Sequence, residues 1–434
     1  MQVTILGGGG FRVPLICREL AASGLPAGEV VLYDTSPGRL GVIAGVLAGN
    51  GLTLRTTTDL DDALRGARLI FSALRVGGLD GRVHDERSAL DLGVIGQETV
   101  GAGGLSYAAR VVPVVDAMAR RIAELAPDSW VITMTNPAGL VTEVMADTLG
   151  PRVIGVCDSP IGLVRRACAA AGADPGPSLS GVPDRAEVDY LGLNHLGWLR
   201  SLRMDEADLL PGLLAEPARL ERMEEGRLFG PDLLAALGTL PNEYLYWYYA
   251  EREALRGVLA AGRTRGEHVR VQQEAFYTAA AAEPARAAEL WAAAQNERNS
   301  SYFAELRDGP RDVADVEAGG YETIAIGLAA ALTSGPPARL ILNVRNGGTV
   351  PALPAGAVIE TVCRVDSGGA VPLPAAPPSA HELGLMSAVK DCEQAIITAA
   401  RTGSAAAALR AFALHPLVGS LDAARALAAA ALRA

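Results

Sequence analysis

The chain of 434 residues carries a net charge of −11, and half of its residues are hydrophobic. That length calls for two packed domains rather than one core, and the composition excludes disordered and fibrous classes. An acidic chain is a poor partner for nucleic acid, and with Lys390 as its only lysine any anion must be met by arginine or backbone amides, while Schiff-base catalysis has almost no candidate.

A first strand, expected over residues 2–7, runs into Leu6-Gly7-Gly8-Gly9-Gly10 and then a helix from Val13 to Ala22. No basic leader or long apolar stretch precedes it, and no later segment reaches membrane-spanning length, so no membrane partner and a cytoplasmic location are expected. Glycines let the backbone turn tightly and approach a pyrophosphate, whose charge then meets the N-terminus of the following helix. The second strand, over 29–33, ends at Asp34, where a carboxylate can accept hydrogen bonds from both ribose hydroxyls and oppose a 2′-phosphate. A glycine turn alone is often a mere strand-to-helix connector. Strand, glycines, helix, strand and acid in this order point to NAD, with Gly7, Gly8, Gly9 and Asp34 as its contacts. Arg12 stands where the dehydrogenase fingerprint has its third glycine.

Further strands are expected over 52–55, 68–73, 129–134 and 152–156, with helices from Pro37 to Ala48 and from Leu105 to Leu125. This alternation predicts a doubly wound, Rossmann-like α/β sheet over residues 1–160. Within it lies a polar, glycine-rich run from Arg75-Val76-Gly77-Gly78 through Arg82, Asp85-Glu86-Arg87 and Gly96-Gln97-Glu98-Thr99 to Gly101-Ala102-Gly103-Gly104. It reads as a loop, either forming a site or simply solvated. Gly155-Val156-Cys157-Asp158-Ser159-Pro160 closes the last strand, at the carboxyl end where open α/β sheets bind ligands.

The remainder, 161–434, is expected to form an α+β domain. A strand-rich piece ends in Leu193-Asn194-His195-Leu196-Gly197-Trp198, long helices run to about residue 335, valine-rich strands follow near 340–375, and helices resume from His381. The alanine-rich stretch from Tyr277 to Glu289 reads as buried helix. Cys157 alone would be a buried structural thiol and His195 alone a core histidine, whereas together they offer one soft and one borderline ligand for a divalent ion. Pro241-Asn242-Glu243-Tyr244-Leu245-Tyr246-Trp247-Tyr248-Tyr249 holds four of the ten tyrosines. Such a stripe is usually core, yet consecutive aromatics on a helix cannot all face one way. The five cysteines are scattered, so no disulfide framework is expected.

Taken in order, several of these segments resemble glycoside hydrolase family 4, the NAD-dependent exception to two-carboxylate glycosidases. They are Gly7-Gly8-Gly9 with Pro14, Arg75-Val76-Gly77, Gly93-Val94-Ile95-Gly96-Gln97-Glu98-Thr99, Thr135-Asn136-Pro137-Ala138, Cys157-Asp158-Ser159-Pro160, Gly192-Leu193-Asn194-His195, Pro241-Asn242-Glu243-Tyr244 and His415-Pro416-Leu417-Val418. The resemblance implies Cys157 and His195 as ligands of a divalent metal, usually Mn2+, and Tyr244 as general base. It implies Asp158 as proton donor, Glu98 as an acid that raises the basicity of the tyrosine, Arg82 and Asn136 as sugar contacts, and Arg265 as the contact of a substrate phosphate. The implied activity is hydrolysis of 6-phospho-β-glucosides by oxidation at C3, proton removal at C2, elimination, water addition and re-reduction. The substrate is thus expected to be a small phosphorylated disaccharide or glucoside, and the enzyme a homodimer or homotetramer.

Two departures stand out. Gly10 and Val13 replace hydroxyl residues of the family's glycine motif, and Asp158 is the residue found in α-specific members where many β-specific ones carry Asn. A 6-phospho-α-glucosidase, an α-galactosidase or a galacturonidase of the same family is therefore an alternative, and a lactate/malate-type dehydrogenase is the rival of another class.

Overall fold

The structure is a computed structural model that describes residues 1–174, 176, 181–183, 185–301 and 320–433. Runs of β-branched and leucine residues form strands β1 (Gln2–Leu6), β2 (Glu29–Tyr33), β3 (Leu54–Thr57), β4 (Ala67–Ser72), β5 (Trp130–Thr133) and β6 (Val153–Gly155). They pair in parallel in the order β3-β2-β1-β4-β5-β6. Both faces are buried, as a sheet covered by crossover helices requires. On β4, Leu69 and Phe71 enter one core and Ile70 the other. This is the expected doubly wound α/β fold.

The sheet continues beyond β6. The later strands are β7 (Ala186–Leu193), β8 (Leu196–Met204), β9 (Ala207–Asp208), β10 (Leu240–Pro241), β11 (Ala338–Arg345), β12 (Val358–Asp366) and β13 (Gly369–Pro372). They extend one 13-stranded sheet in the order β6-β11-β12-β7-β8-β10, with β13 on β12 and β9 on β8. The seam is a single antiparallel pair, Asn343 with Gly155. A Cβ at Gly155 would lie 2.3 Å from Thr142 Oγ1 and 2.9 Å from Asn343 Cβ, so only glycine lets the two parts close.

Three helical expectations change. The polar run is not one loop, because Gly78–Leu90 is a helix whose buried face carries Arg82, Asp85 and Glu86. The long helix begins at Gly101 rather than Leu105. Its glycines are steric necessities, since a Cβ at Gly103 would lie 2.2 Å from the Gln97 carbonyl oxygen and one at Gly104 2.6 Å from that of Thr99. The stretch from Tyr277 to Glu289 is neither continuous nor buried. Helix Arg265–Ala282 stops before Pro284, a 3-10 turn spans Pro284–Arg286, and helix Ala287–Ser300 starts afresh. Proline lacks the amide hydrogen a continuing helix needs and disfavours α geometry in the residue before it. Only Ala280 and Ala287 of this stretch are buried, and Ala281, Ala282, Ala285 and Ala288 are exposed.

Lys390 is buried on helix Ala380–Thr402. Its ammonium lies 2.9 Å from Glu143 Oε2 and 2.5 Å from Glu393 Oε2, tying that helix to Ala138–Leu149. All five cysteines are free. Among the described residues no helix is long and apolar enough to cross a membrane.

Candidate active site

The glycine turn after β1 is shaped by contact with β2. Gly7 has φ +84°, which a side chain would strain, and a Cβ at Gly8 would fall 2.7 Å from Leu32 Cβ. The Gly9 amide donates to Asp34 Oδ2 at 3.1 Å and the Ser36 amide to Asp34 Oδ1 at 3.0 Å, fixing the carboxylate at the mouth of the turn. Tyr277 donates to the Gly9 carbonyl at 2.7 Å, and the Arg39 guanidinium lies 4.8 Å from the Tyr277 ring. A turn with no room for a Cβ, opening onto helix Val13–Ala22, fits a dinucleotide pyrophosphate.

The turn opens into a cleft of about 380 Å³ whose lining includes Arg12, Asn136, Asp158, Glu243, Tyr244 and Tyr321. Asn136 Oδ1 is buried and meets no hydrogen-bond donor among the described residues. Asp158 is the N-cap of helix Ser159–Ala171, its carbonyl accepting from the Gly162 amide at 3.0 Å. Cys157, just past β6, is buried, with its sulfur 3.8 Å from the Tyr321 hydroxyl. Burial, with Glu360 and Asp158 nearby, pushes its thiol well above the usual range.

His195 occupies the two-residue turn between β7 and β8 at φ +62°. Asn194 anchors that turn, accepting from the Ala138 amide at 3.1 Å and donating to Glu360 Oε1 at 3.3 Å. The His195 ring is buried and burial lowers it to about 3, so it is neutral. Its Nδ1 lies 2.8 Å from Thr99 Oγ1, and its Nε2 meets no partner among the described residues. A buried imidazole nitrogen without a partner and a buried thiol suit a divalent cation, which would draw the thiol into its thiolate form. Among the described residues no group of three or more His, Cys, Asp or Glu is placed to hold a metal. A cation on Cys157 and His195 would thus keep positions open for other oxygens, as catalytic sites do.

Tyr244 sits in a 3-10 turn, Glu243–Leu245, started by Asn242, whose side chain accepts from the Tyr244 amide at 3.0 Å. Its ring is stacked on His195, with centroids 3.7 Å apart and planes 2° from parallel. Of its neighbours, Tyr249 packs near Trp198, whose indole donates to its hydroxyl at 2.9 Å, and Tyr246 and Tyr248 pack against the core.

Glu98 Oε2 accepts from Arg75 at 2.8 Å and lies 2.9 Å from Arg82 Nη1. Burial would raise this carboxyl, but Arg82, Arg75 and Arg298 bring it down to about 2. Arg82, Glu98, Tyr244, Arg265 and Arg298 line a recess together. Arg265 donates to Ser301 Oγ at 2.8 Å and to the Arg298 carbonyl at 3.0 Å. Burial, with Arg12, Arg265 and Arg82 crowding it, lowers Arg298 to about 9. A buried corner that gathers several guanidiniums around one carboxylate favours an anion.

Sequence reasoning missed Arg298, Tyr321 and two buried acids. Burial, joined by Glu224 and Glu225, pushes Glu243 up to about 7 against the pull of Arg166. Burial also raises Glu360 to about 7, although Asn343 donates to it at 2.8 Å and Tyr190 at 3.1 Å. Nothing local marks these residues. Only Glu243, beside Tyr244 in its motif, could have been found. His415 is structural, buried with Nδ1 accepting from the Leu417 amide at 3.1 Å.

Residues 2–171 match the family described as Family 4 glycosyl hydrolase, and residues 190–418 match the Family 4 glycosyl hydrolase C-terminal domain. The 6-phospho-beta-glucosidase of Escherichia coli (strain K12) is 29% identical over 445 residues, covering 97% of this chain and 92% of that protein. The 6-phospho-alpha-glucosidase of Leptotrichia buccalis is 26% identical over 454 residues, covering 98% and 96%. The fold is similar to that of the 6-phospho-beta glucosidase of Thermotoga maritima with manganese, NAD+ and glucose-6-phosphate, with a TM-score of 0.81 at 24% identity, covering 100% of this chain and 98% of that one. Since both halves match one family, the lactate/malate-type reading falls away, and the chain belongs to family 4 of the glycosyl hydrolases.

Proposed function

We propose that the protein hydrolyses 6-phospho-β-glucosides with NAD and a divalent cation, Mn2+ by preference. The observation that carries the reading is one cleft bordered by the glycine turn, by Asp158 beside Cys157, and by Tyr244 stacked on His195. NAD would lie on Gly7, Gly8, Gly9 and Asp34 and supply a hydride acceptor for C3 of the sugar. A cation on Cys157 and His195 would supply Lewis acidity toward the sugar oxygens.

The chain's own groups then divide the work. Tyr244 takes the C2 proton, a task for which a phenol needs nearby positive charge. Glu98, held ionised by Arg75 and Arg82, cannot donate a proton, so the role left to it is to accept the phenolic hydrogen of the tyrosine with which it shares the recess. Asp158 gives the proton to the leaving oxygen. Arg82 and Asn136 orient the sugar, and Arg265 holds its phosphate, assisted by Arg298.

A second reading, the α-anomer, is favoured by Asp158, the residue found at this position in α-specific members, and an α-specific relative matches over nearly the whole chain. Hydrolysis of α- and β-linked nitrophenyl glucosides, each with and without a 6-phosphate, with NAD and Mn2+ under reducing conditions, tests both. Turnover of the β-linked 6-phosphate alone supports the first reading. Turnover of the α-linked one replaces it, and loss of the phosphate requirement removes the role given to Arg265.

A further inference from the structure

The loop between Ile95 and the helix beginning at Gly101 contains Gln97 and Thr99, neither of which has a role in the reading above. Their hydrogen bonds form a chain in which each link fixes the next. Gln97 Oε1 lies 2.6 Å from the Thr99 amide and 2.8 Å from the Val100 amide. Two backbone N–H groups pointing at one side-chain amide atom require that atom to be the oxygen, because the NH2 group has no lone pair to offer. This settles the orientation of the amide on chemical grounds.

The same oxygen lies 2.9 Å from Thr99 Oγ1. A carbonyl oxygen only accepts, so the single hydroxyl hydrogen of Thr99 must be given to Gln97. Thr99 Oγ1 then has lone pairs alone to present to His195 Nδ1, 2.8 Å away. For that contact to be a hydrogen bond, Nδ1 must carry the ring hydrogen. A neutral imidazole carries one, so Nε2 is left as a bare lone pair, and Nε2 is the buried atom without a partner among the described residues.

We infer that Thr99, oriented by Gln97, is a positioning residue that holds His195 in the Nδ1–H tautomer and so reserves the Nε2 lone pair for the cation. Tyr244, stacked 3.7 Å away on the ring face, adds an orientational constraint that a hydrogen bond in the ring plane cannot supply. A hydrogen-bond partner on the far nitrogen commonly fixes the tautomer and orientation of a metal-binding histidine, and its loss costs roughly 10–100-fold in metal affinity. The glycines of the following helix belong to the same device, because the close approach of Gly103 to the Gln97 carbonyl holds the loop against the helix. The inference rests on the proposed metal role of His195, but its first test needs no metal.

The metal-free protein labelled with 15N-histidine reports the tautomer directly through the nitrogen shifts and their long-range proton couplings, with His195→Gln identifying the signal. The wild type should show His195 protonated at Nδ1. Thr99→Val, which keeps the shape and removes the hydroxyl, should shift the population toward Nε2–H and weaken Mn2+ binding by roughly 10–100-fold, with NAD affinity retained. Thr99→Ser should restore both. An Nε2–H tautomer in the wild type overturns the inference even if no Thr99 variant folds, and so does a Thr99→Val protein with wild-type tautomer and Mn2+ affinity. The expected tautomers with no Mn2+ binding in any form would leave the Thr99 relay standing and overturn the metal role given to His195.

Discussion

The glycine turn and the arginine corner border two spaces that share Arg82, Glu98, Tyr244 and Arg298, and they are built by opposite means. The turn uses contiguous residues, backbone amides and the absence of side chains. The corner gathers the long side chains of Arg82, Arg265 and Arg298 from three helices, where burial, together with the neighbouring guanidiniums, lowers Arg298 to about 9. A site made by backbone is damaged by adding atoms, and a site made by side chains by removing them. The first should lose shape for every ligand, and the second should lose charge for one kind of ligand only.

The comparison is tested hardest at Tyr244, which belongs to neither part. Tyr244→Phe removes one oxygen, and kcat should fall by roughly 10²–10⁴, the usual loss for a general base, with NAD, Mn2+ and phosphosugar still bound. In deuterated water the wild type should place solvent deuterium at C2 of the released sugar. Product without it rules out the elimination route, and a fully active variant moves the base elsewhere.

Next in size is Arg265→Ala. Loss of charge-assisted hydrogen bonds worth about 1.5–3 kcal/mol should raise KM for the phosphorylated substrate by roughly 10–100-fold and leave the unphosphorylated analogue nearly unchanged. Arg298→Met should act in the same direction and less strongly, since its backbone carbonyl would still receive Arg265. Equal losses on both substrates would make these arginines structural.

The backbone half is tested by Gly8→Ala. The new methyl would meet Leu32 Cβ at 2.7 Å and Leu32 Cα at 2.8 Å, atoms of β2, which is held on both sides by β1 and β3 and cannot swing aside. Overpacking of this kind costs about 1–3 kcal/mol, so NAD affinity should drop by roughly tenfold for phosphorylated and plain substrates alike. Calorimetric titration with NAD decides it, and unchanged binding would show that the turn yields.

The smallest effect concerns pH. Burial raises Glu360 from an ordinary 4.5 to about 7. The folded protein therefore holds this proton more tightly than the unfolded chain, and the resulting stability is complete below about pH 4.5 and lost as pH rises through about 7. Glu360→Gln, which does not titrate, should show a shallower fall in Tm between those values. Glu243, raised in the same way, keeps part of the slope. An unaltered slope would assign it to other groups.

The parallel half of the fold was legible because its signals are local: each apolar run, glycine turn and helix lies within a few residues of the next. The continuation of the sheet through β11 was not, since it depends on one pair, Gly155 with Asn343, far apart in the chain. The site divides in the same way. Gly7, Gly8, Gly9 and Asp34 could be read from order alone. Cys157, His195 and Tyr244 needed a family resemblance, because the contact that joins the last two is a ring stack across two turns. Arg298, on an alanine-rich helix, gave no signal, and neither did Glu360 in a valine-rich strand. The helical face of the Arg75 to Thr99 run was masked by its glycines and charges, which suggest a loop until Arg82 and Glu86 are seen to share a buried side.

The chain's one lysine offers a practical consequence. Lys390 is 2% exposed and held between two carboxylates, so its amine is closed to acylating reagents for as long as the closing helices stay packed. Any reagent label found on it must have been acquired during an opening of that region. A single tryptic peptide thus becomes a clock for how often the molecule comes apart.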